Sequence, residues 1–394
     1  MTDVATDLLA LLARGPRGDV TDPYAVYARL RDEAPALAIP GLGAGLFVLS
    51  RYDDVRAALR DDALFSNRAN ARGASLVMGR TLIEMDGAEH LRHRKLVTPA
   101  LAPRALRGDF PKLVERIAHE IVDGFPRGDV DLVEAFTFVF PLRVFVEILG
   151  LPTDDVAALH ACAADLTLVQ ADPDRAFAAS RRMRELLLPV VARKRAEPGD
   201  DLISTLAAAE VDGTRLGDEE VVSFLRLLVS AGAETTFHLL GSALHVLLDD
   251  PELQALVRAR RDRIDDLLWE TLRFETPVAI LPREATRATE IAGVAIPEGA
   301  DVLLLVGSAS RDERRWRDPD RFDIDRDNAE TLSFGLGRHY CAGSRLALLE
   351  ARIGLEALLD RTDALALAPG ERSRIVGTAF RGPDRLPVRI ASRA

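Results

Sequence analysis

The stretch FGLGRHYCAG, residues 334–343, places one of the chain's two cysteines in a glycine-rich loop directly before an apolar helical pattern. Glycine at this density, at Gly335, Gly337 and Gly343, allows the backbone to adopt positive φ or to pass close to a neighbouring group. Cys341 lies where loop meets helix, and the partial positive charge of a helix N-terminus favours the thiolate. The stretch therefore predicts that something is bound beside Cys341.

Several ordinary interpretations stay open on these residues alone. A lone cysteine is most often a small buried hydrophobe, and a nucleophilic Cys341 beside His339 is another alternative, although side chains two residues apart need not meet. A zinc site needs about four ligands, usually in paired spacings, and the sequence has neither CxxC nor HExxH. A phosphate-binding loop would require a lysine that is missing here. The rest of the chain has to decide between packing and binding.

Composition and charge exclude several classes of protein. The chain has 394 residues, of which 48% are hydrophobic, enough to bury a large core, and its net charge of −11 argues against nucleic-acid binding. Cys162 and Cys341 provide no disulfide framework, and Cys162 is predicted to be a packing residue. Residues 1–15 contain Asp3 and Asp7 and lack the basic start of a signal peptide. We expect a cytoplasmic protein without a membrane anchor.

The pattern along the chain is mainly helical with a small β region. Alternating residues predict a strand at 46–50, a β-meander over 281–306 and strand pieces in the C-terminal tail. No repeat, linker or break in composition divides the chain, so we expect a single domain over 1–394. Apolar residues at helical spacing predict helices over 22–35, 52–62, 111–125, 132–150, 153–170, 173–196 and 344–360.

The longest apolar stretch, VVSFLRLLVSAGAETTFHLLGSALHVLL at 221–248, predicts a buried helix. Asp218 starts it and Pro251 lies beyond its end, so it is roughly 45 Å long and crosses the domain. Its middle, AGAETT at 231–236, is unfavourable for stability, because glycine costs about 1 kcal/mol inside a helix and a buried carboxylate several more. We predict a distorted turn that presents an acid and a hydroxyl to a buried cavity. A half-exposed helix with a solvent-facing patch is the alternative.

Two further stretches carry charged residues one helical turn apart. Glu270 and Arg273 of WETLRFETP can pair on one helix face, and His90 and Arg94 of HLRHR share another. Surface pairs of this spacing are common, so a solvated face remains open for each. The more specific interpretation of HLRHR is that it pairs with an anionic ligand.

Taken in order, these stretches resemble the cytochrome P450 family. FGLGRHYCAG is similar to its heme-binding loop, FxxGxxxCxG, and ETLR is similar to its ExxR motif, with Glu270 and Arg273 joined by Arg321 of DPDRF in a cluster that fixes the cysteine loop. AGAETT resembles the oxygen-activating turn of the long central helix, and HLRHR resembles the helix that holds the heme propionates. The resemblance covers nearly the whole chain. It implies a mainly α fold with a small β region and heme between the long helix and the cysteine loop.

The resemblance also implies which residues hold the cofactor, heme b (iron protoporphyrin IX). Cys341 is expected to be the metal ligand, the proximal thiolate of the heme iron, which favours cleavage of the O–O bond. Phe334 and Gly335 are expected in the loop that passes under the porphyrin. The residues expected to pair with the two heme propionates are His90, Arg94, Arg283 and His339.

The activity implied by the resemblance is a monooxygenase that inserts one oxygen atom of O₂ into a hydrophobic small molecule. Glu234 and Thr235 are the expected catalytic pair, which delivers protons to dioxygen. Two alternatives remain: a peroxide-driven fatty-acid hydroxylase or decarboxylase, and a non-catalytic heme-thiolate sensor. Peroxide-driven members typically lack the acid–alcohol pair, and a sensor would normally carry an output domain.

The resemblance further implies partners. With no reductase fused to the heme domain, we expect electrons from NAD(P)H to arrive through a reductase and a separate ferredoxin or flavodoxin. We also expect a monomer. The substrate pocket is expected to include 66–85, parts of 165–185, the helix near 225–235, PVAIL at 277–281 and TAF at 378–380. Its apolar walls suit a steroid, terpenoid, fatty acid or polyketide. Basic residues expected on the face where an acidic carrier docks are Arg92, Lys95, Arg338 and Arg345.

Overall fold

Helices dominate the computed structural model, which describes residues 3–39, 44–126, 128–152 and 156–392. Because 54% of the residues are helical and the sheets are small, the predicted fold class is confirmed. The α-helices are α1 (Asp3–Leu12), α2 (Tyr24–Glu33), α3 (Tyr52–Arg60), α4 (Ser75–Met78), α5 (Gly87–Leu101), α6 (Phe110–Asp123), α7 (Val139–Leu149), α8 (Val156–Leu166), α9 (Pro173–Ala196), α10 (Leu202–Ala208), α11 (Asp218–Asp249), α12 (Pro251–Ala259), α13 (Ile264–Phe274), α14 (Val306–Ala309) and α15 (Ser344–Arg361).

The strands form one larger sheet and several small ones. The larger sheet has the order β1-β2-β10-β7-β3, in which β10 runs parallel to β2 and antiparallel to β7, with Val302 opposite Arg283. A three-stranded sheet has the order β11-β14-β4. The strands are β1 (Ala36–Ile39), β2 (Leu46–Leu49), β3 (Phe65–Ser66), β4 (Asp129–Asp131), β5 (Glu210–Val211), β6 (Thr214–Arg215), β7 (Ile280–Ala285), β8 (Thr289–Ile291), β9 (Val294–Ile296), β10 (Asp301–Leu305), β11 (Thr362–Leu367), β12 (Ile375–Val376), β13 (Gly382–Pro383) and β14 (Pro387–Ser392).

Most of the predicted elements are found, with shifts at their ends. The helix predicted over 153–170 is α8, and residues 153–155 lie outside the described residues. The helix predicted over 132–150 begins with a π-helical turn, Val133–Thr137, and continues as α7, which contains Pro141. Helix α1 was not predicted, although Val4 and Leu8 are fully buried on one side of it. Val4, Leu8, Leu11 and Leu12 have helical spacing, so the sequence carried a signal for this helix.

Helix α11 is the central element of the fold. Its 32 residues span about 48 Å, and every residue from 221 to 230 is buried. The helix contributes side chains to the two largest core clusters, one packed with α7 to α10 and the other with α6, α13 and α15. Because it is apolar around most of its circumference, it is stable only where other helices cover it.

The distorted turn predicted at 231–236 is wrong for the backbone. Helix α11 continues without interruption from Asp218 to Asp249. The Thr235 hydroxyl donates to the carbonyl of Ala231 at 2.8 Å, within the same helix. This bond satisfies the hydroxyl locally and bends a helix at most slightly. The packing of α11 on both sides then keeps the helix intact despite Gly232.

An ion pair inside α13 ties the helix to the long loop that precedes the cysteine. Glu270 and Arg273 are both fully buried and joined by two hydrogen bonds, Nε to Oε2 at 2.9 Å and Nη2 to Oε1 at 2.7 Å. The remaining guanidinium hydrogens of Arg273 reach backbone carbonyls in that loop, including those of Ser310 and Pro319, each at 2.9 Å. The surface-pair interpretation is therefore excluded for ETLR.

The third arginine of this cluster is Arg326, not the predicted Arg321. The Nε of Arg326 lies 3.2 Å from Oε1 of Glu270. Arg321 is exposed and contributes only its carbonyl, which accepts from Arg273 at 3.3 Å. The backbone turns at Asp318, where φ is +46°, and Arg321 N–H closes that turn on the Asp318 carbonyl. This turn presents carbonyls to Arg273 and leaves the Arg321 side chain in solvent.

We expect Glu270→Ala to lower the free energy of unfolding by about 3–5 kcal/mol, because it leaves the buried Arg273 guanidinium without its charged partner. Thermal or urea unfolding measures the change. The control is Glu120→Ala, which breaks exposed pairs with Arg116 and Arg143 and is expected to cost no more than about 1 kcal/mol. Equal stability of the two variants would contradict the structural role of the ETLR pair.

Candidate functional site

The loop 334–343 is built by its glycines and anchored on α13. The N–H of Cys341 donates to the carbonyl of Phe334 at 2.8 Å, which closes the loop. Gly335 and Gly337 both have φ of +68°, which only glycine adopts without strain. The Phe334 ring packs edge-on against Trp269 of α13, with centroids 5.7 Å apart. The predicted need for positive φ is thus confirmed at these two glycines.

Gly343 does not have the positive φ that the sequence suggested. Its φ is −91°, and a Cβ built on it would meet no described protein atom within 4 Å.

Just before the loop, the Ser333 hydroxyl donates to the Leu272 carbonyl at 2.5 Å and lies 2.8 Å from the Thr276 hydroxyl. The loop is therefore fastened to the C-terminal end of α13 immediately before Phe334.

Cys341 is accessible, yet it is surrounded by protein. Burial raises the pKa of its thiol, while the N–H of Gly343, the charge of Arg94 and the N–H of Ser344 lower it. The helix N-terminus thus acts in the predicted direction, but burial outweighs it. A raised pKa disfavours the thiolate, which is the form that acts as a nucleophile or binds a metal, so a metal bound at Cys341 has to displace the thiol proton.

Basic side chains lie beside the loop that carries Cys341. Arg94 of α5 donates to the carbonyls of Arg338 at 3.0 Å and Tyr340 at 2.5 Å, so it holds the cysteine loop directly. The rings of His90 and His339 lie 4.0 Å apart. Burial, then the charges of His339 and Arg94, lower the pKa of His90 to about 4. Its Nδ1 is buried and has no hydrogen-bond partner among the described residues.

Arg283, on β7, is a buried charge without a matching carboxylate. Its side chain is 5% exposed, and Nη1 donates to the neighbouring Pro282 carbonyl at 2.8 Å. Within the described ranges it forms no ion pair, and Asp86 acts on it only at longer range. Burial raises the pKa of Asp86, but hydrogen bonds from His339 and Ser66 outweigh burial and hold that pKa at about 2. Burial lowers the pKa of Arg283 to about 10. A guanidinium in this situation favours an anionic ligand.

The middle of α11 has one accessible face. Ala231 is exposed, and Gly232 and Thr235 are half-buried, although the helix is buried on either side of them. The predicted hydroxyl therefore lies on the accessible face of the helix. Glu234 does not: it is 2% exposed and contacts Arg17 at 2.5 Å and His238 at 3.1 Å. The predicted acid and alcohol are adjacent in sequence but lie on different faces of the helix.

Electrostatics keep Glu234 ionised. Burial raises the pKa of its carboxyl, but His238 and Arg17 outweigh burial and hold the pKa at about 2. Sequence reasoning missed both partners. His238, four residues after Glu234, was visible as a helical neighbour, whereas nothing in the sequence linked Arg17 to the acid.

The protein side chains alone do not complete a metal site. Within residues 3–39, 44–126, 128–152 and 156–392, no three His, Cys, Asp or Glu side chains are grouped to hold a metal ion. A metal bound by Cys341 would therefore take its other ligands from a cofactor. In the same part of the chain, no helix has the length and hydrophobicity required to span a membrane.

Comparison with known proteins identifies the family. A family model described as cytochrome P450 matches residues 174–370. The vitamin D(3) 25-hydroxylase of Pseudonocardia autotrophica is 35% identical over 95% of this chain and 95% of its own length. The 6-deoxyerythronolide B hydroxylase of Saccharopolyspora erythraea is 34% identical over 94% of this chain and 96% of its own. The chain belongs to the cytochrome P450 family.

A solved structure supports the same assignment. The ligand-free cytochrome P450 TbtJ1 is 35% identical, covers 93% of this chain and 97% of its own, and superposes with a TM-score of 0.84. As a cytochrome P450, the protein is a heme-containing monooxygenase, an oxidoreductase that uses O₂. The observed residues fit heme: an accessible cysteine, an open glycine beside it, and a buried guanidinium and imidazole without anionic partners.

We expect Cys341→Ser to abolish the red-shifted Soret band that thiolate-ligated heme shows in the reduced, CO-bound protein, because serine supplies no thiolate. Cys162→Ser is the matched control, since Cys162 is buried in the core between α8 and its neighbours, and it should keep the band. The absorption spectrum measures both. Loss of the band in the Cys162 variant and its retention in the Cys341 variant would reverse the assignment.

We expect Arg283→Met to release heme about 10- to 100-fold faster, because a charged hydrogen bond of about 1.5–3 kcal/mol to the cofactor is lost. Transfer of heme to apomyoglobin measures the rate. Arg287→Met is the control, because Arg287 is exposed just beyond the end of the same strand. Equal release rates in the two variants would show that Arg283 does not hold the cofactor.

Proposed function

We propose that this cytochrome P450 hydroxylates a hydrophobic small molecule with electrons from a separate carrier protein. One oxygen atom of O₂ is inserted into a C–H bond of the substrate. Two electrons and two protons reduce the other oxygen atom to water. Heme, when bound, supplies the redox chemistry that activates O₂. The protein binds the substrate, excludes water and controls the two protons.

The cofactor residues proposed are those on which the resemblance and the geometry agree. Cys341 is the iron ligand, and Phe334 and Gly335 shape the loop that holds it. His90, Arg94, Arg283 and His339 are proposed to neutralise the heme propionates. Arg283 and His90 support this most directly, because both are buried and lack an anionic partner in the described chain. Arg94 has a second task, since it also binds the loop carbonyls.

The observation that carries the monooxygenase proposal is the pairing of an accessible hydroxyl with a buried acid on α11. Thr235 is the polar side chain on the accessible face of a helix that is otherwise buried there. Glu234, the residue before Thr235, lies on another face of the helix and is held as a carboxylate. We assign Thr235 to hold a water molecule that donates a proton where O₂ binds. We assign Glu234 to replace the proton that this water gives up. A peroxide-driven reaction would need neither residue.

Electrons are proposed to arrive from a ferredoxin or flavodoxin, reduced by NAD(P)H through its own reductase. Residues 1–394 are proposed to act as one catalytic domain, in the cytoplasm and as a monomer. Exposed basic residues near the cysteine loop favour an acidic carrier, although Arg92 pairs with Asp212 at 3.0 Å and Arg338 with Asp62 at 2.8 Å. Lys95 and Arg345 are exposed on the same side.

The substrate is proposed to be a polyketide-like or steroid-like molecule. Two relatives of this chain are named as a vitamin D(3) 25-hydroxylase and a 6-deoxyerythronolide B hydroxylase, and these names support a bulky apolar substrate. In this chain, Val278 forms a backbone bridge with Phe380, which joins two of the apolar segments expected to line the pocket. Titration of a steroid and macrolide panel, read from the heme spin shift, tests this. A panel that shifts only with fatty acids would contradict it.

We expect Thr235→Ala to uncouple electron use from product formation. Alanine keeps the helix, so the fold, the heme content and the substrate-induced spin shift should persist. NAD(P)H oxidation should continue while product falls and hydrogen peroxide rises, because the water that holds the second proton is lost. The ratio of product to NAD(P)H measures the effect.

Thr205→Ala is the control, because the Thr205 hydroxyl also donates to the carbonyl four residues earlier, at 3.1 Å, but on the exposed side of α10. It should leave the ratio unchanged. Full product yield per NAD(P)H in Thr235→Ala would contradict the proton-delivery role assigned to Thr235.

A further inference from the structure

The segment between α1 and α2 places a charge on the acid of α11. Arg17 Nη2 lies 2.5 Å from Glu234 Oε1, and the Arg17 side chain is 27% exposed whereas that of Glu234 is 2% exposed. Arg17 thus reaches from the protein surface to a carboxylate that is otherwise cut off from water. Within the described chain, no carboxylate other than Glu234 is paired with Arg17.

The same segment also borders the walls of the expected substrate pocket. The carbonyl of Pro16 accepts hydrogen bonds from the N–H groups of Thr378, Ala379 and Phe380, at 3.0–3.2 Å. The Thr378 hydroxyl donates to the Gly15 carbonyl at 2.7 Å. These three residues are TAF, one of the segments that the sequence placed around the substrate. Arg17 therefore starts from backbone that is bonded to the pocket wall.

The other side of the segment meets the connection between α8 and α9. Gly15 has φ of +82°, and a Cβ built on it would lie 3.2 Å from the Cβ of Ala171. Residues 165–185 are also expected at the pocket. The segment that carries Arg17 therefore lies between two parts of the pocket wall and is in contact with both.

Every other charged or titratable group facing Glu234 is accounted for in the described chain. His238, one turn later on α11, lies 3.1 Å away, and burial lowers the pKa of its ring. His160 of α8 is fully buried with neither ring nitrogen bonded, and burial lowers its pKa to about 4. Arg381 acts on His238 and is itself held by Glu275. Arg17 is thus the charge that balances Glu234.

We propose that Arg17 is a positioning residue for the proton-delivery acid, and that its segment couples this acid to the substrate pocket wall. Arg17 holds Glu234 ionised on the face of α11 that carries His238, away from the face that carries Thr235. Glu234 then acts as a controlled donor, which takes up a proton only when it leaves Arg17. This role rests on the proposed function, whereas the contact itself does not.

A double-mutant cycle tests the contact without any turnover. Arg17→Gln, Glu234→Gln and the double variant are compared in thermal unfolding of the heme-loaded protein. Each single substitution removes one charge and leaves the other buried and unpaired. We therefore expect each single variant to lower the Tm more than a substitution that breaks no ion pair, and the double variant to lower it by less than the sum of the two single losses. Arg14→Gln, at an exposed position of the same segment, is the control and should combine additively with Glu234→Gln. Additive losses for Arg17 would overturn the proposal.

The pH profile of coupling tests the role. Without Arg17, one of the two residues that counteract the effect of burial on Glu234 is lost, so the pKa of Glu234 rises. Arg17→Gln should therefore lose product per NAD(P)H and gain hydrogen peroxide as the pH is lowered from about 8 to about 6. Wild type and Arg14→Gln should stay level, and Arg17→Lys, which keeps the charge, should recover most of the yield. A profile of Arg17→Gln that superimposes on wild type would overturn the role.

The two measurements separate the possible failures. A non-additive Tm cycle with a level pH profile would overturn the positioning role and leave the monooxygenase proposal intact. A non-additive cycle in a wild-type enzyme that forms product with peroxide but not with NAD(P)H and a carrier would overturn the proposed function, and the role with it.

Discussion

The burial of the Arg273 guanidinium constrains more of this structure than any other interaction. A charge removed from water costs several kcal/mol unless opposite charge and hydrogen-bond acceptors surround it. Glu270 supplies the charge, and the carbonyls of the loop after α14 supply the acceptors. Those carbonyls can converge only if the loop wraps around the end of α13. The cysteine loop begins where that wrapping ends, with Ser333 bonded to the same helix.

The buried basic groups at the functional site differ from Arg273 because they lack a negatively charged partner. Arg273 has its charged partner inside the protein, whereas Arg283 and His90 are buried without an anionic partner in the described chain. Such groups lower the stability of the protein on its own and raise its affinity for an anionic cofactor. The contrast agrees with the binding site that the motifs indicate. It also explains why Arg94, which binds loop carbonyls as well, serves both structure and binding.

Much of this could be read from the sequence because it depends on neighbours along the chain. The period of α11 and the positive φ required at Gly335 and Gly337 are local properties. Local reasoning was wrong where packing intervened: it predicted a distorted turn at 231–236, but the helices around α11 keep it regular. The helix α1 was also missed, although Val4, Leu8 and Leu11 have helical spacing.

By itself, the sequence determined the family, the mainly α class, the long central helix and the position of the cysteine loop, since each follows from spacing within a few turns. Only the tertiary structure decided which charges meet. It placed Arg326 rather than Arg321 on Glu270, because a turn at Asp318 directs the nearer side chain to solvent. It brought Arg17 to the acid of α11 from the far end of the chain. The energy between charges depends on distance and burial, and folding sets both among residues remote in sequence.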